Sequence, residues 1–320
     1  MYNRNITPTV EGGLLAAISV ILGIMAVYLP ILGMAALLLW PLPVAVLTAR
    51  QGLGKGLMVL FVTAVLMALL IEPMLSARLA VSFGPVGLVL GELIRRGWKS
   101  AWIFPATMAV SFLAKGLAVG LVFLIADINV MDMQLSLLRE SFDESFAMYE
   151  TMGVDQQTID EARAGVEPAL ELVSKLMPLV LLILAAMDTT ACYFMTCRVL
   201  RRIGMDAPSF PPFSEWRLPS VFLYILGFSM VGLYWGGTRE ITWLYQISLN
   251  LDLAAMGAGV VQGISLLWYT AEHYRVSKLL RYVLLFILLT NGILLQILAF
   301  TGLFDMLFDY RRRFGGQPRS

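Results

Sequence analysis

Nine long apolar segments restrict what this chain can fold into more than any other feature of the sequence. Each approaches the about 20 residues that an α-helix needs to cross about 30 Å of hydrocarbon. They cover residues 13–29, 31–49, 56–71, 74–94, 101–126, 169–198, 218–236, 243–271 and 279–304. Of the 320 residues, 59% are hydrophobic and only 14% are charged, which is unlike a soluble domain. The sequence therefore predicts an all-α fold, a polytopic transmembrane helical bundle with eight or nine membrane segments in the lipid bilayer.

Basic residues in the short loops predict how the segments are oriented. They form four clusters: Arg50 and Lys55; Arg95, Arg96 and Lys99; Arg198, Arg201, Arg202 and Arg217; Arg275, Lys278 and Arg281. Each cluster follows an even-numbered segment, so the positive-inside rule places these loops and the N-terminus in the cytoplasm. We therefore expect a multi-pass protein of the bacterial inner membrane.

The loop of residues 127–168 has the opposite charge. It contains ten acidic residues and only two basic ones, Arg139 and Arg163, so we expect it outside the cell. Apolar residues recur in it at three- and four-residue spacing, at Leu135, Leu138, Phe142, Phe146, Tyr149 and Met152. This pattern predicts an amphipathic helix over the outer surface. The helix is either a solvated cap or a lid over an outward-facing pocket.

Two segments carry signals for a break in the membrane. The second is interrupted by Trp40–Pro43, "WPLP", and its two prolines should kink or unwind the helix. The last contains Asn291 and Gly292 at its centre, where the chain can turn back as a re-entrant hairpin. That turn would leave the basic tail, residues 311–320, in the cytoplasm, whereas a single full crossing would place the tail outside.

Ionisable residues within the segments are the first candidates for function, since charge inside a bilayer is costly. Lys115 lies near the middle of segment five and Asp188 near the middle of segment six. These neighbouring segments run in opposite directions, so an ion pair between the two residues is expected. The pair either locks two helices together or forms a substrate or proton site, to which Thr189 and Thr190 would add hydroxyl groups.

Further polar residues lie near the expected outer surface. They are Glu72 and Arg78, which flank a turn at Pro73, and Asn250 and Asp252, which enter the membrane from the same side. Snorkelling at the interface would explain each of them singly. Together with Lys115 and Asp188, they form our hypothetical binding set for a small-molecule substrate.

Two further features suggest contacts with partners. The first segment has small residues four apart, including Gly13 and Ala17, which permit close helix packing within the chain or with another subunit. Residues 204–219, "GMDAPSFPPFSEWRLP", form a linker rich in proline and aromatic residues that is expected in the cytoplasm. Phe210, Phe213 and Trp216 either anchor this linker at the headgroup level or dock a partner.

Several function classes lack the residues that they require. With one histidine and two cysteines, Cys192 and Cys197, in one apolar segment, neither a disulfide framework nor a metal site is expected. We find no nucleotide-binding motif and no nucleophile–base set, so neither a cofactor nor catalytic residues are predicted, and the protein is not expected to be an enzyme. Any ATP that powers transport must be bound by another chain. The net charge of +1 gives no support for nucleic-acid binding.

Short motifs along nearly the whole chain resemble those of the YybS-like family of bacterial polytopic membrane proteins, whose function is unknown. They are "PLPVAVLTARQGLGKGL" (41–57), "MGVD" (152–155), "RRIG" (201–204), "FPPFSEWRLP" (210–219), "QGIS" (262–265) and "GLFDMLFDYRRR" (302–313). The resemblance implies a helical membrane protein and assigns no activity.

The first six segments also resemble the substrate-binding S component of energy-coupling factor transporters. The similarity lies in six spans, a cytoplasmic N-terminus, small residues on the first helix and a glycine turn at 52–56. The resemblance implies a six-span unit (1–203), after which the sequence itself predicts the linker (204–219), C-terminal membrane segments (220–310) and the tail (311–320). It also implies capture of a small solute and docking on a separate coupling subunit with ATPases. The alternative function is a non-transporting membrane scaffold or regulator that acts through its linker and tail.

Overall fold

The structure is a computed structural model that describes residues 8–126 and 129–314. All regular elements in these two ranges are helical. The α-helices are α1 Pro8–Tyr28, α2 Pro30–Leu39, α3 Leu42–Gln51, α4 Leu53–Leu70, α5 Pro73–Arg95, α6 Ser100–Ala126, α7 Val130–Thr151, α8 Gln156–Ala164, α9 Val166–Lys175, α10 Met177–Arg202, α11 Val221–Thr238, α12 Thr242–His273, α13 Lys278–Thr290, α14 Gly292–Phe308 and α15 Tyr310–Phe314. A single 3₁₀ turn, Phe213–Glu215, lies in the predicted linker.

Eight helical stretches in the described residues are long and apolar enough to cross a membrane. They are Thr9–Tyr28, Pro30–Gln51, Leu53–Leu70, Pro73–Arg95, Ser100–Ile125, Met177–Arg202, Val221–Thr238 and Thr242–His273. This confirms the predicted all-α polytopic bundle. The predicted sixth segment, 169–198, was wrong at its start, because residues up to Lys175 belong to the separate helix α9. Pro178 lies in the first turn of α10, where a proline begins a helix more readily than it continues one.

Both predicted breaks are present. The second span is divided between α2 and α3 at Trp40 and Pro41. The last apolar segment is divided into α13 and α14, which meet at an angle of 107°. Asn291 lies at this bend and caps α14, since its side-chain oxygen accepts hydrogen bonds from the backbone N–H groups of Ile293 and Leu294 at 3.1 Å. The tail beyond residue 314, which was predicted to be basic and cytoplasmic, lies outside the described residues.

The described chain divides into two compact units. The first takes the residues up to Ser174 together with Val180–Ser209, and the second takes Lys175–Leu179 together with the residues from Phe210 onward. The division at Ser209 and Phe210 falls within the predicted linker 204–219.

The first unit packs α1, α3, α4 and α5 around two clusters of buried apolar side chains. One contains Ala16, Val44, Leu47, Val59 and Leu88, and the other contains Val20, Trp40, Met67, Leu79 and Phe83. Helices α3 and α5 approach closely at Gly91, where an added methyl group would lie 2.4 Å from the carbonyl oxygen of Ala45. Small residues therefore let these helices pack through their backbones, as is common between membrane helices.

The predicted external loop, 127–168, is helical over most of its length. Helix α7 carries the predicted apolar face, but only Phe146 of that face is buried, while Leu138, Phe142, Tyr149 and Met152 are exposed. Arg139 of α7 donates two hydrogen bonds to Glu167 of α9, at 2.9 and 3.0 Å. These bonds hold the pKa of Glu167 below its usual range. The ion pair therefore joins the beginning of α9 to α7.

In the second unit, α12 and α14 cross at three glycines. A methyl group added to Gly302 would lie 2.0 Å from the carbonyl oxygen of Gly259 and 2.4 Å from the backbone nitrogen of Gly263. Leu226, Ala255 and Leu303 form the buried apolar cluster beside this crossing. The crossing fixes the direction of α14 in this unit.

Candidate functional site

Helices α6 and α10 place Lys115 and Asp188 at the same depth of the first unit. Lys115 lies 11 residues before the end of α6 at Ala126, and Asp188 lies 11 residues after the start of α10 at Met177. At 1.5 Å per residue, each is about 16 Å from that end of its helix. The ammonium of Lys115 and a carboxylate oxygen of Asp188 form an ion pair. The contact that the sequence predicted is therefore present.

The ion pair is enclosed and includes one hydroxyl group. Ser111 Oγ lies 3.0 Å from both carboxylate oxygens of Asp188, to which it donates, and it accepts a hydrogen bond of 2.8 Å from Lys115 Nζ. Only 7% of Lys115 and 1% of Asp188 are exposed. The ammonium also lies 4.6 Å from the ring centroid of Phe83 on α5, within cation–π range. The two charges are thus compensated by each other, by one serine and by an aromatic ring.

A row of buried polar side chains leads from the ion pair towards the beginning of α6. On α6, Ser100, Thr107, Ser111 and Lys115 share one face, because seven residues make about two turns and four make about one. On α10, Asp188 and Tyr193 contact this face, and Cys192 and Thr196 lie about one and two turns after Asp188. All eight are buried. We call these eight residues the α6–α10 polar row.

The far end of the α6–α10 polar row is hydrogen-bonded to the backbone. The Tyr193 hydroxyl donates to Ser100 Oγ at 2.8 Å and lies 3.2 Å from the carbonyl oxygen of Pro208. Ser100 Oγ in turn donates to the carbonyl oxygen of Ser209 at 3.0 Å. The row therefore extends from the ion pair to the residues that follow α10.

Two buried hydroxyl groups beside the ion pair have no hydrogen-bond partner among the described residues. They belong to Thr107, one turn from Ser111, and to Thr189, which follows Asp188 directly. Both residues are completely buried. Buried hydroxyl groups are almost always hydrogen-bonded, so these two are available to a water or a solute that enters between the helices. The sequence pointed to Thr189, and Thr107 was missed because a threonine in an apolar helix is a weak signal.

The other predicted binding residues lie outside this cluster. Glu72 precedes α5 and Arg78 lies within it; both are exposed and show no ion pair with each other in the described chain. Asn250 and Asp252 belong to the second unit. Asn250 holds the start of α10, since it donates to the carbonyl oxygen of Lys175 and accepts from the N–H of Leu179.

The predicted partner-contact residues have different surroundings. Gly13 and Ala17 are exposed on α1, whereas the adjacent Gly12 and Ala16 are buried. In the second unit, the rings of Phe210 and Phe213 pack against Trp216, with centroids 5.3 and 5.1 Å apart. The Trp216 indole donates to the carbonyl oxygen of Pro211 at 3.0 Å.

A buried arginine fixes this aromatic stretch on the second unit. The guanidinium of Arg311 donates to the carbonyl oxygen of Ser214 at 2.5 Å and to Ser265 Oγ at 3.0 Å. Ser265 donates to the carbonyl oxygen of Phe213 at 2.6 Å. The Arg311 guanidinium lies 3.4 Å from Asp305, and burial lowers the pKa of Arg311. The sequence placed Arg311 in a basic tail, whereas the structure buries it.

Gln262 completes the arrangement around Asp305. It donates to Asp305 at 2.7 Å and accepts from the N–H of Leu218 at 3.0 Å. Nearby, Arg217 pairs with Asp309 at 2.7 Å. Three motifs that are far apart in sequence, 210–219, 262–265 and 302–313, therefore meet at one end of the second unit.

Comparison with known proteins identifies the family. The chain belongs to the family described as "Predicted membrane protein (DUF2232)", whose model matches residues 17–306. It is similar to "Uncharacterized protein YybS" of Bacillus subtilis (strain 168), with 23% identity over 313 residues that cover 95% of this chain and 97% of the relative. This confirms the resemblance to the YybS-like family. No solved structure matches the chain.

Proposed function

We propose that this member of the DUF2232 family binds a small solute in its first unit and acts as a transporter component of the bacterial cytoplasmic membrane. The Lys115–Asp188 ion pair carries the proposal. A charged side chain at the centre of a bilayer costs about 2.5–3.5 kcal/mol even on insertion scales, so it is seldom kept without a role. Here two such charges lie about 16 Å from the helix ends, beside hydroxyl groups without partners.

Solute binding would replace the contact between the two charges. Lys115 would bind an anionic group of the solute, Ser111 and Thr189 would supply hydroxyl groups, and the ring of Phe83 would cover an apolar part. The pair is closed when it is empty because its two charges neutralise each other. A closed pair therefore protects the membrane interior from an uncompensated charge until the solute enters.

A transporter component of this kind would need partner proteins that bind ATP. The sequence has no nucleotide-binding motif, so ATP-driven transport would need a separate coupling subunit with ATPases, as the resemblance to S components implies. The exposed face of α1 at Gly13 and Ala17 is where we expect that subunit to pack, because small residues allow close contact between helices.

The test is to purify the protein from membranes and identify the small molecules and proteins that co-purify by mass spectrometry. In the double variant K115M/D188N, which removes both charges and keeps the side-chain volumes similar, we expect a bound solute to be lost. R217M/D309N, which removes an ion pair of the second unit in the same way, is the matched control and should retain the solute. Equal recovery of the solute from K115M/D188N and wild type, or no solute from any preparation, would contradict the proposal.

A scaffold function is the second candidate, and one observation favours it. Arg311 and Ser265 hold the carbonyl groups of residues 213 and 214, which presents a rigid aromatic surface of Phe210, Phe213 and Trp216 that suits a protein partner. Changing these three aromatic residues to serine would separate the roles. Normal thermal stability with loss of a co-purifying protein supports docking, whereas loss of stability supports an anchor without a partner.

A further inference from the structure

The α6–α10 polar row lies between the ion pair and the beginning of α6. Ser111 is about 6 Å from Lys115 along α6, Thr107 is about 6 Å further, and Ser100 another 10 Å or so. Cys192, Thr196 and Tyr193 line the same interval from α10. Each hydroxyl group can accept one hydrogen bond while it donates another, which is what a proton relay requires. With the unpartnered hydroxyl of Thr107 at its centre, the row can pass a proton with the help of water.

The charges at the ion pair restrict what can bind there. With Lys115 protonated and Asp188 ionised, the empty site is neutral. An anion alone would leave one excess negative charge, and a proton alone would leave one excess positive charge, each costly in the membrane interior. An anion and a proton together restore neutrality, since Lys115 then pairs with the anion while Asp188 is uncharged. In the described residues, Lys115 is the charged group that faces Asp188; Cys192 lies one turn away on α10, and α5 contributes the ring of Phe83.

We propose that the protein binds a small monovalent anion at Lys115 together with a proton at Asp188, and that the α6–α10 polar row releases that proton to the cytoplasm. This inference rests on the proposed solute-binding function and deepens it by naming the substrate class and the coupling ion. The proton forms an O–H bond with a carboxylate oxygen of Asp188, and the Lys115–Asp188 ion pair breaks. Lys115 keeps its own proton throughout. On release, each hydroxyl group of the row gives up one proton and receives one, so the row is unchanged.

The equilibrium test measures protonation of Asp188 in the purified protein. The infrared carbonyl band of a protonated carboxyl group is titrated against pH, and D188N assigns the band. Acetate, lactate and benzoate are the probes, with sodium sulfate at equal ionic strength as the control. Binding of the anion and of the proton favour each other, because linkage is reciprocal. Above the Kd of the anion, each tenfold increase in its concentration should therefore raise the midpoint of the Asp188 titration by about one pH unit. K115M should lose this dependence on the anion.

The kinetic test measures the row itself. In vesicles that contain the protein and a trapped pH dye, a lactate gradient should acidify the interior faster than in empty vesicles. Loss of one relay group should slow this acidification by about a hundredfold. We therefore expect slow acidification with T107V and Y193F, while the midpoint of the Asp188 titration stays unchanged. T270V in the second unit is the matched control, because the Thr270 hydroxyl donates to the carbonyl oxygen of Leu266 and lies outside the row.

The outcomes separate this inference from the proposed function. Binding of an anion without a shift of the midpoint, or binding of alanine or betaine instead, would overturn the inference and leave solute binding intact. Equal rates for T107V, Y193F and T270V would overturn the row as the proton route. If no anion or zwitterion binds and no Asp188 band titrates, both proposals fail. The anion-dependent midpoint is measured on the wild-type protein, so the conclusion does not depend on the folding of a variant.

Discussion

Replacement of Arg311 by methionine should destabilise the second unit strongly. The change removes a buried guanidinium that is 3% exposed and leaves the Asp305 carboxylate buried without its counter-charge. Breaking a buried ion pair costs about 3–5 kcal/mol. Asp305 keeps two hydrogen bonds, from Gln262 at 2.7 Å and from the N–H of Tyr310 at 3.0 Å. We therefore expect the lower value, about 3 kcal/mol.

Thermal unfolding of the purified protein in detergent measures this effect. Each kcal/mol shifts Tm by about 2–4 °C in a domain of 150–250 residues and by about 4–8 °C in one of 60–100 residues. The second unit lies between these sizes, so R311M should unfold at least about 6 °C below wild type. The neighbouring exposed Arg312 provides the control, and R312M should stay within about 0.5 kcal/mol of wild type. The double variant R311M/D305N should recover most of the loss, because it leaves no uncompensated charge. Equal shifts for R311M and R312M, or a double variant less stable than R311M, would refute the reasoning.

Three further predictions concern the fold. G302A should destabilise the second unit by about 2 kcal/mol or more in thermal unfolding, since the added methyl group would lie 2.0 Å from the Gly259 carbonyl oxygen; G257A, with no atom within 4 Å, should be near neutral. Cysteines placed in α15 and in the 3₁₀ turn should react with an impermeant thiol reagent from the same side of the membrane, because Arg311 joins these segments; labelling from opposite sides would contradict this. Arg139 keeps the pKa of Glu167 below its usual range, so the ion pair stabilises α9 fully at pH values above the pKa of an unfolded glutamate. This stabilisation is lost as the pH falls through the lowered pKa of Glu167. Hydrogen exchange of α9 should therefore rise on acidification in the wild-type protein and change less in E167Q.

Much of the fold could be predicted from segment length and charge. Apolar runs of about 20 residues have few alternatives to membrane helices, and Asn291 marked a break that the 107° bend between α13 and α14 confirms. The boundary of α10 was less predictable, because four apolar residues between 169 and 175 masked the charged residues Glu171 and Lys175. Hydropathy does not register the effect of Pro178 on where a helix begins.

The candidate site was predictable in part, for a geometric reason. Lys115 and Asp188 lie on consecutive antiparallel spans at matching depth, so their contact follows from counting residues. The environment of Arg311 does not follow in this way, since its partners Ser214 and Ser265 are 97 and 46 residues away. Only the crossing of α12 and α14 brings them together. The sequence alone places these consecutive arginines in a basic tail, because it does not show that crossing.

The two buried ion pairs differ in a way that separates a structural role from a binding role. Asp305 retains bonds from Gln262 and the backbone when Arg311 moves, and Arg311 is itself bonded to the Ser214 carbonyl. Such fixed contacts oppose any exchange of partners. Within residues 8–126 and 129–314, Lys115 and Asp188 share only Ser111 as a further polar side-chain partner, and the hydroxyl groups of Thr107 and Thr189 beside them have no hydrogen-bond partner. A pair with few fixed partners and spare hydroxyl groups can open towards a solute at lower cost, so the site of function is expected on α6 and α10.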